Sequence, residues 1–107
     1  MRIEISAPDT IRSGREWPVR ALLFNDSFEP LVVSRNAFIG PGVRQQLLAV
    51  EPTYGHEAEV FTLHPFSFYG RERLIGPLPA GEVEVTASYS HSGLVVTASK
   101  RLRIEAD

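Results

Sequence analysis

Three histidines are the residues of this chain best suited to acid–base or metal chemistry: His56, His64 and His91. A metal site needs several ligands that converge on one ion, and it commonly uses short spacings such as i, i+2 or i, i+4. The spacings here are 8 and 27 residues, and each histidine lies in or beside a different loop or strand end. We therefore expect solvated loop histidines and no bound metal.

The other motifs do not predict catalysis. The chain has no cysteine, no serine stands in a Gly-x-Ser-x-Gly turn, and the glycines lack the spacing of a phosphate-binding loop. Most carboxylates fall on strand positions that should face water, whereas two catalytic carboxyl groups would have to share a pocket. These are Glu4, Glu82, Glu84 and Glu105. We expect no enzymatic activity and no cofactor.

The stretch "HPFSFYGRER" is rich in aromatic and arginine side chains, which are the usual anchors of protein interfaces. With strand alternation, two phenylalanines share one face, and one tyrosine and two arginines share the other. The first face carries Phe66 and Phe68, and the second carries Tyr69, Arg71 and Arg73. We expect the phenylalanines in the core and the other three as an outward binding row. Cross-strand ion pairs of the arginines with Glu82 and Glu84 are the alternative.

Two further aromatic residues could stack on a sugar. Trp17 opens an apolar run where the core of a sandwich usually begins, so we expect it to be buried. Tyr54 lies in the glycine-containing loop "PTYGHE" and is expected to be exposed. Tyr54 is therefore a candidate binding residue, and a carbohydrate-binding module that uses Trp17 or Tyr54 is an alternative function.

Residues 35–46, "RNAFIGPGVRQQ", separate two strand-like runs. The favoured interpretation is a crossing connection in which Phe38 and Ile39 tuck under the sheet edge and Gly40-Pro41-Gly42 forms a corner. The competing interpretation is an exposed apolar loop that inserts into a partner's groove, as an inhibitor loop would. Pro41 would stiffen such a loop and lower the ordering cost of binding. Phe38 and Ile39 are binding candidates under the second interpretation.

The elements that position these residues are predicted to be strands. Eight glycines and eight prolines leave little room for long helices, and strand patterns recur about every 8–12 residues. The predicted strands cover residues 2–6, 17–25, 31–35, 46–50, 58–65, 66–75, 82–90 and 94–106. Seven or eight antiparallel strands in 107 residues predict a single all-β domain, residues 1–107, with an immunoglobulin-like two-sheet antiparallel sandwich.

Three stretches resemble bacterial immunoglobulin-like and fibronectin-type-III-like modules: "SGREWPVRALLFNDSFEPLVV", "FTLHP" and "GPLPAGEVEVTASYS". Together they cover roughly half of the chain. One branch, the bacterial intracellular proteinase-inhibitor-like domain, shares the Asn-turn-Pro start and the absence of cysteine. The resemblance implies the sandwich fold and adds intracellular protease inhibition as an alternative function. The chain departs from fibronectin-type modules at Val83, where a tyrosine often begins the penultimate strand.

Composition limits the classes of partner that the chain is expected to bind. The net charge is −2, whereas a nucleic-acid-binding protein usually has a strongly basic surface. The apolar runs are too short to span a membrane. The N-terminal alternation does not resemble a signal peptide, and the cysteine-free sequence favours the cytoplasm, unless the chain is excised from a larger protein. We expect a non-catalytic interaction module whose partner is another protein. A homodimer through the poorly guarded edge strand at residues 46–50 is a further hypothesis.

Overall fold

The computed structural model describes residues 1–44 and 59–106, and within these ranges the chain is all-β. Nine strands are present there: β1 (Arg2–Ser6), β2 (Ile11–Arg12), β3 (Trp17–Phe24), β4 (Leu31–Ser34), β5 (Phe38–Val43), β6 (Val60–Leu63), β7 (Phe68–Ile75), β8 (Gly81–His91) and β9 (Leu94–Glu105). One turn of 3-10 helix, Arg35–Ala37, connects β4 to β5. In the described ranges, no helix has the length and apolar character needed to cross a membrane. The strand predicted at residues 46–50 lies outside the described residues.

The strands form three sheets. The first has the order β1-β3-β7, the second β2-β9-β8-β5, and β4 pairs with β6 in the third. All pairs are antiparallel except β2 with β9, which is parallel. The long apolar run of β3 predicted a central strand, and β3 indeed lies between β1 and β7. The chain passes from the first sheet to the second between β1 and β2. Residues of both sheets contribute to the core.

Alternating side chains build the core. Along β8, Val85, Ala87 and Tyr89 are buried while the residues between them are not. The same alternation places Ile3 of β1 and Ile104 of β9 inward, while Arg2, Glu4, Arg103 and Glu105 are exposed. Two packed clusters result, one around Phe38 and Tyr89 and the other around Trp17 and Val85.

The β8–β9 hairpin closes through a two-residue turn. Ser92 and Gly93 both have positive φ, 51° and 81°, as a type I′ turn requires. This turn places His91 opposite Leu94 and fixes the register of the longest ladder in the sheet. The residues "HSG" between the predicted strands at 82–90 and 94–106 thus form a tight turn.

Gly40-Pro41-Gly42 does not form the predicted corner but belongs to strand β5, Phe38–Val43, which follows the 3-10 turn. Residues of β5 pair with β8, with a register shift between Ile39 and Gly42. Gly40 has a φ of +96°, and a Cβ atom there would lie 2.7 Å from the Thr86 carbonyl oxygen. Glycine therefore allows the shifted strand to approach β8 closely. Phe38 is fully buried, which confirms its predicted burial and contradicts the exposed-loop interpretation.

The predicted orientation of β7 is wrong. Phe66 and Phe68 are exposed, whereas the row of Tyr69, Arg71 and Arg73 is half-buried and shares the inward face with the buried Ile75. Alternation identifies which residues share a face but does not say which face points inward. The face of β7 that carries Tyr69, Arg71 and Arg73 points inward because Tyr69 and Arg71 contact β5, as described below.

Candidate functional site

Two phenylalanines from different loops form an exposed aromatic pair. Phe28 lies between β3 and β4 and is 87% exposed, and Phe66 lies between β6 and β7 and is 53% exposed. Their ring centroids are 5.0 Å apart and the rings meet edge to face at 82°, an arrangement that aromatic side chains favour. We call this pair the aromatic tip.

The side chain of Asn25 holds the aromatic tip together. Asn25 is fully buried, and its Nδ2 donates to the carbonyl oxygens of Glu29 and Leu63, each at 2.9 Å. Its Oδ1 accepts from the backbone N–H of Ser27 at 3.0 Å and from the Ser27 hydroxyl at 2.7 Å. Both polar ends of the amide are thus engaged. Asn25 ties the loop that carries Phe28 to the end of β6.

Backbone hydrogen bonds attach the second loop to the same asparagine. The Asn25 N–H donates to the Ser67 carbonyl at 3.0 Å, and the Phe66 N–H donates to the Asn25 carbonyl at 2.8 Å. Phe66 has a φ of 57°, a left-handed conformation that costs about 1–2 kcal/mol for a residue other than glycine. The surrounding bonds impose this strain, and strained residues of this kind cluster at functional sites.

Charged groups border the aromatic tip. The amino group of Met1 lies 2.8 Å from Oδ1 of Asp26, and its hydrogen bond lowers the pKa of that carboxyl below its ordinary value. The guanidinium of Arg2 lies 3.6 Å from the other oxygen of Asp26. Glu29 and His64 are also exposed at this end. The tip therefore has an apolar centre and a polar rim, which is the usual anatomy of a protein interface.

The predicted binding residue Arg71 instead joins β7 to β5. Its guanidinium donates to the carbonyl oxygen of Phe38 at 2.5 Å and to that of Gly40 at 3.4 Å, and to that of Arg35 at 3.3 Å. It also lies over the Phe38 ring, 5.0 Å from the centroid. Among the described residues β5 lies at the edge of its sheet, and Arg71 donates hydrogen bonds from β7 to carbonyl oxygens of that strand.

Tyr69 belongs to the same contact between the sheets. Its ring meets the Phe38 ring edge to face, with centroids 5.9 Å apart, and lies 5.2 Å from the Phe61 ring. Arg35 donates to the Tyr69 hydroxyl at 3.0 Å. Arg73 is half-buried on the same face and pairs in register with Val19. The three predicted residues share one face of β7, but it is the half-buried inward face.

Replacing Arg71 by methionine is expected to lower the free energy of unfolding by about 1.5–3 kcal/mol, because it removes charge-assisted hydrogen bonds to carbonyl groups of β5. Urea-induced unfolding measures the loss. Arg101→Met is the matched control, since Arg101 is exposed on β9. Equal midpoints for the two variants would contradict the role of Arg71.

The other predicted residues lie apart from this contact. Ile39 is half-buried and pairs with Ser88, and Trp17 is buried as predicted. Tyr54 and His56 lie outside the described residues. The described part of the chain contains no group of three His, Asp or Glu side chains that could hold a metal ion.

Two shallow hollows lie on the outer face of β8 and β9, with volumes of about 310 and 290 Å³. Serine, threonine, charged, alanine and valine residues line them, without a histidine. In the larger hollow, Arg44 donates to Glu84 at 2.7 Å. Glu84, named above as an alternative partner of the arginines on β7, is therefore bonded to an arginine at the end of β5.

Sequence reasoning missed the aromatic tip. Phe66 was assigned to the core, and Phe28 was passed over as part of a turn. A signal was present, because Phe28 is the one apolar residue in the polar turn "NDSFEP" apart from its proline. A large ring in a turn has no strand face on which to be buried, so exposure is the natural expectation.

Comparison with known proteins finds no matching family model and no matching curated protein. The aromatic tip offers two apolar rings already held in position, a feature suited to binding. Binding by such rings needs no reacting group, since the free energy comes from removing apolar surface from water.

Proposed function

We propose that this chain is a non-catalytic protein-interaction module that inserts the aromatic tip into an apolar pocket of its partner. The observation that carries the proposal is the buried Asn25 amide, which holds Phe28 and Phe66 together at the surface. Burial of one such ring contributes roughly 1.5–3 kcal/mol. Because the loops are already ordered, little of that gain is spent on ordering them.

We also propose an immunoglobulin-like sandwich as the fold. The order β1-β3-β7 corresponds to strands A, B and E of that fold, and β5-β8-β9 corresponds to C, F and G. The separate β4–β6 pair and the parallel β2–β9 pair are additions to this plan. Loops at the ends of such sandwiches commonly bind partners, which supports a role for the aromatic tip.

The alternatives have less support. Trp17 is only 4% exposed, so it offers no surface for sugar stacking, and Tyr54 lies outside the described residues. An inhibitor loop at residues 36–43 would have to be exposed, whereas all but one of the β5 residues are buried. A protein partner thus remains the best proposal, and a cytoplasmic location remains a prediction from the cysteine-free sequence.

The double variant Phe28→Ser, Phe66→Gly tests the proposed function. Glycine accepts the positive φ of position 66, so the variant removes both rings without adding strain. Val95→Ser is the matched control, because Val95 is 69% exposed on β9. Immobilised wild type and both variants are incubated with extract of the source cells, and the retained proteins are quantified.

We expect a set of proteins retained equally by wild type and Val95→Ser and reduced about tenfold or more on the double variant, equivalent to at least about 1.4 kcal/mol of binding. Circular dichroism and urea unfolding verify that all three chains are folded. Equal retention by all three proteins would refute a role for the aromatic tip.

A further inference from the structure

The outer face of the β1-β3-β7 sheet carries a second exposed apolar surface, separate from the aromatic tip. Its residues alternate with the core residues of β3 and β7 and point away from the second sheet. Phe68 is 58% exposed and Leu74 is 67% exposed. The apolar strip comprises Pro18, Leu22, Phe24, Phe68, Gly70 and Leu74.

The apolar strip runs along both strands and is interrupted by one charged pair, Arg20 with Glu72, which lies between Pro18–Leu74 and Leu22–Gly70. The rings of Phe24 and Phe68 stack, with centroids 6.4 Å apart and planes inclined by 12°. Leu22 is paired with Gly70, and its Cδ2 would lie 2.9 Å from a Cβ atom at that glycine. The leucine therefore lies across the space that a side chain at position 70 would occupy. The surface is therefore flat between Phe68 and the Arg20–Glu72 pair, and Leu74 lies on the other side of that pair.

The charges within and beside the apolar strip are neutralised in pairs, one pair inside it on β3 and β7 and one beside it on β1. Arg20 donates to Glu72 at 3.0 Å, and Arg2 donates to Glu4 at 3.1 Å. The four residues contribute two positive and two negative charges to this face. A two-fold symmetric interface places a patch against itself, so a patch of one sign would repel its copy. A face with paired charges of both signs can meet an identical face without that repulsion.

We propose that this face packs against the same face of a second copy of the chain, forming a two-fold symmetric dimer. Sheets pack face to face about 10 Å apart, and the exposed rings of Phe68 and the side chain of Leu74 would fill that space. The face measures roughly 26 Å along the eight-residue strands β3 and β7 and roughly 14 Å across the three strands of the sheet. An interface of that size belongs to weak, concentration-dependent associations.

This dimer differs from the one predicted from residues 46–50, because it uses a sheet face and not a strand edge. Phe28 and Phe66 of the aromatic tip do not belong to the apolar strip. The dimer and the proposed function are therefore carried by different residues, and each can fail without the other.

Sedimentation velocity from about 1 μM to about 1 mM tests the dimer. We expect wild type to show a monomer–dimer equilibrium and Leu74→Glu to raise its Kd about tenfold or more, because the dimer would bury a carboxylate from each copy. Phe68→Ser should act in the same direction with no added charge. Val95→Glu is the matched control on the other sheet and should dissociate with the wild-type Kd.

A wild type that stays monomeric over the whole range would overturn the proposal. So would a dimer whose Kd is unchanged in both Leu74→Glu and Phe68→Ser. Equal weakening by Val95→Glu would show that added charge, and not this face, controls association, and it would overturn the proposal as well.

Discussion

Phe38→Ala is expected to lower the free energy of unfolding by about 3–5 kcal/mol, the range seen when a buried phenylalanine is truncated. The Phe38 side chain is fully buried, and it lies in the core cluster that also contains Tyr89. On its other side it contacts the Tyr69 ring and the Arg71 guanidinium. Truncation would open a cavity between the two sheets that these neighbours, held by their own hydrogen bonds, cannot readily fill.

Urea unfolding monitored by circular dichroism measures this effect. Ile39→Ala is the matched control, because Ile39 is the next residue of β5 and is only half-buried. We expect Ile39→Ala to lose clearly less stability than Phe38→Ala. Equal and small losses would mean that residues 38 and 39 lie in a tolerant surface loop, contrary to the paired strand.

Asn25→Ala is expected to lower the free energy of unfolding by about 2–4 kcal/mol, because it leaves buried polar groups without partners. The carbonyl of Leu63 and the N–H of Ser27 lose their bonds to the Asn25 amide. The loops that carry Phe28 and Phe66 would then lose their common attachment. Partner capture should fall even under conditions in which the variant remains folded.

Two measurements test the role of Asn25. Urea unfolding compares Asn25→Ala with Asn36→Ala, a matched change at an exposed asparagine that should alter stability by less than about 0.5 kcal/mol. Amide hydrogen exchange then reports on the Phe66 N–H, which donates to the Asn25 carbonyl. Unchanged protection at Phe66 together with wild-type stability would show that the amide does not hold the aromatic tip.

Local patterns were sufficient for several elements. The alternation in "RIEIS" predicted residues 2–6, and β1 spans Arg2–Ser6. The polar residues of "NDSFEP" form the connection between β3 and β4, where the Ser27 N–H donates to the Asn25 side chain. Ser92-Gly93 closes the hairpin between the strands predicted at 82–90 and 94–106. These features depend on neighbouring residues alone, because strand alternation and turn geometry are properties of short stretches of backbone.

The orientation of β7 depended on the tertiary structure. The pattern placed Tyr69, Arg71 and Arg73 on one face, and phenylalanines on the other face made that second face the natural core. The contact with β5 reverses this preference, because Arg71 donates hydrogen bonds to the carbonyl oxygens of Phe38 and Gly40. Phe68 is left outside as a consequence, where it joins the apolar strip.

The sequence alone determined the all-β class and most strand boundaries. Both depend on local composition and on the alternation of apolar and polar residues. Only the tertiary structure decided that residues 38–43 form a strand, because that depends on how closely Gly40 approaches Thr86 in another strand. The same holds for the aromatic tip. Phe28 and Phe66 meet because Asn25 bonds two loops that are distant in the chain, and no local pattern encodes a contact between distant loops.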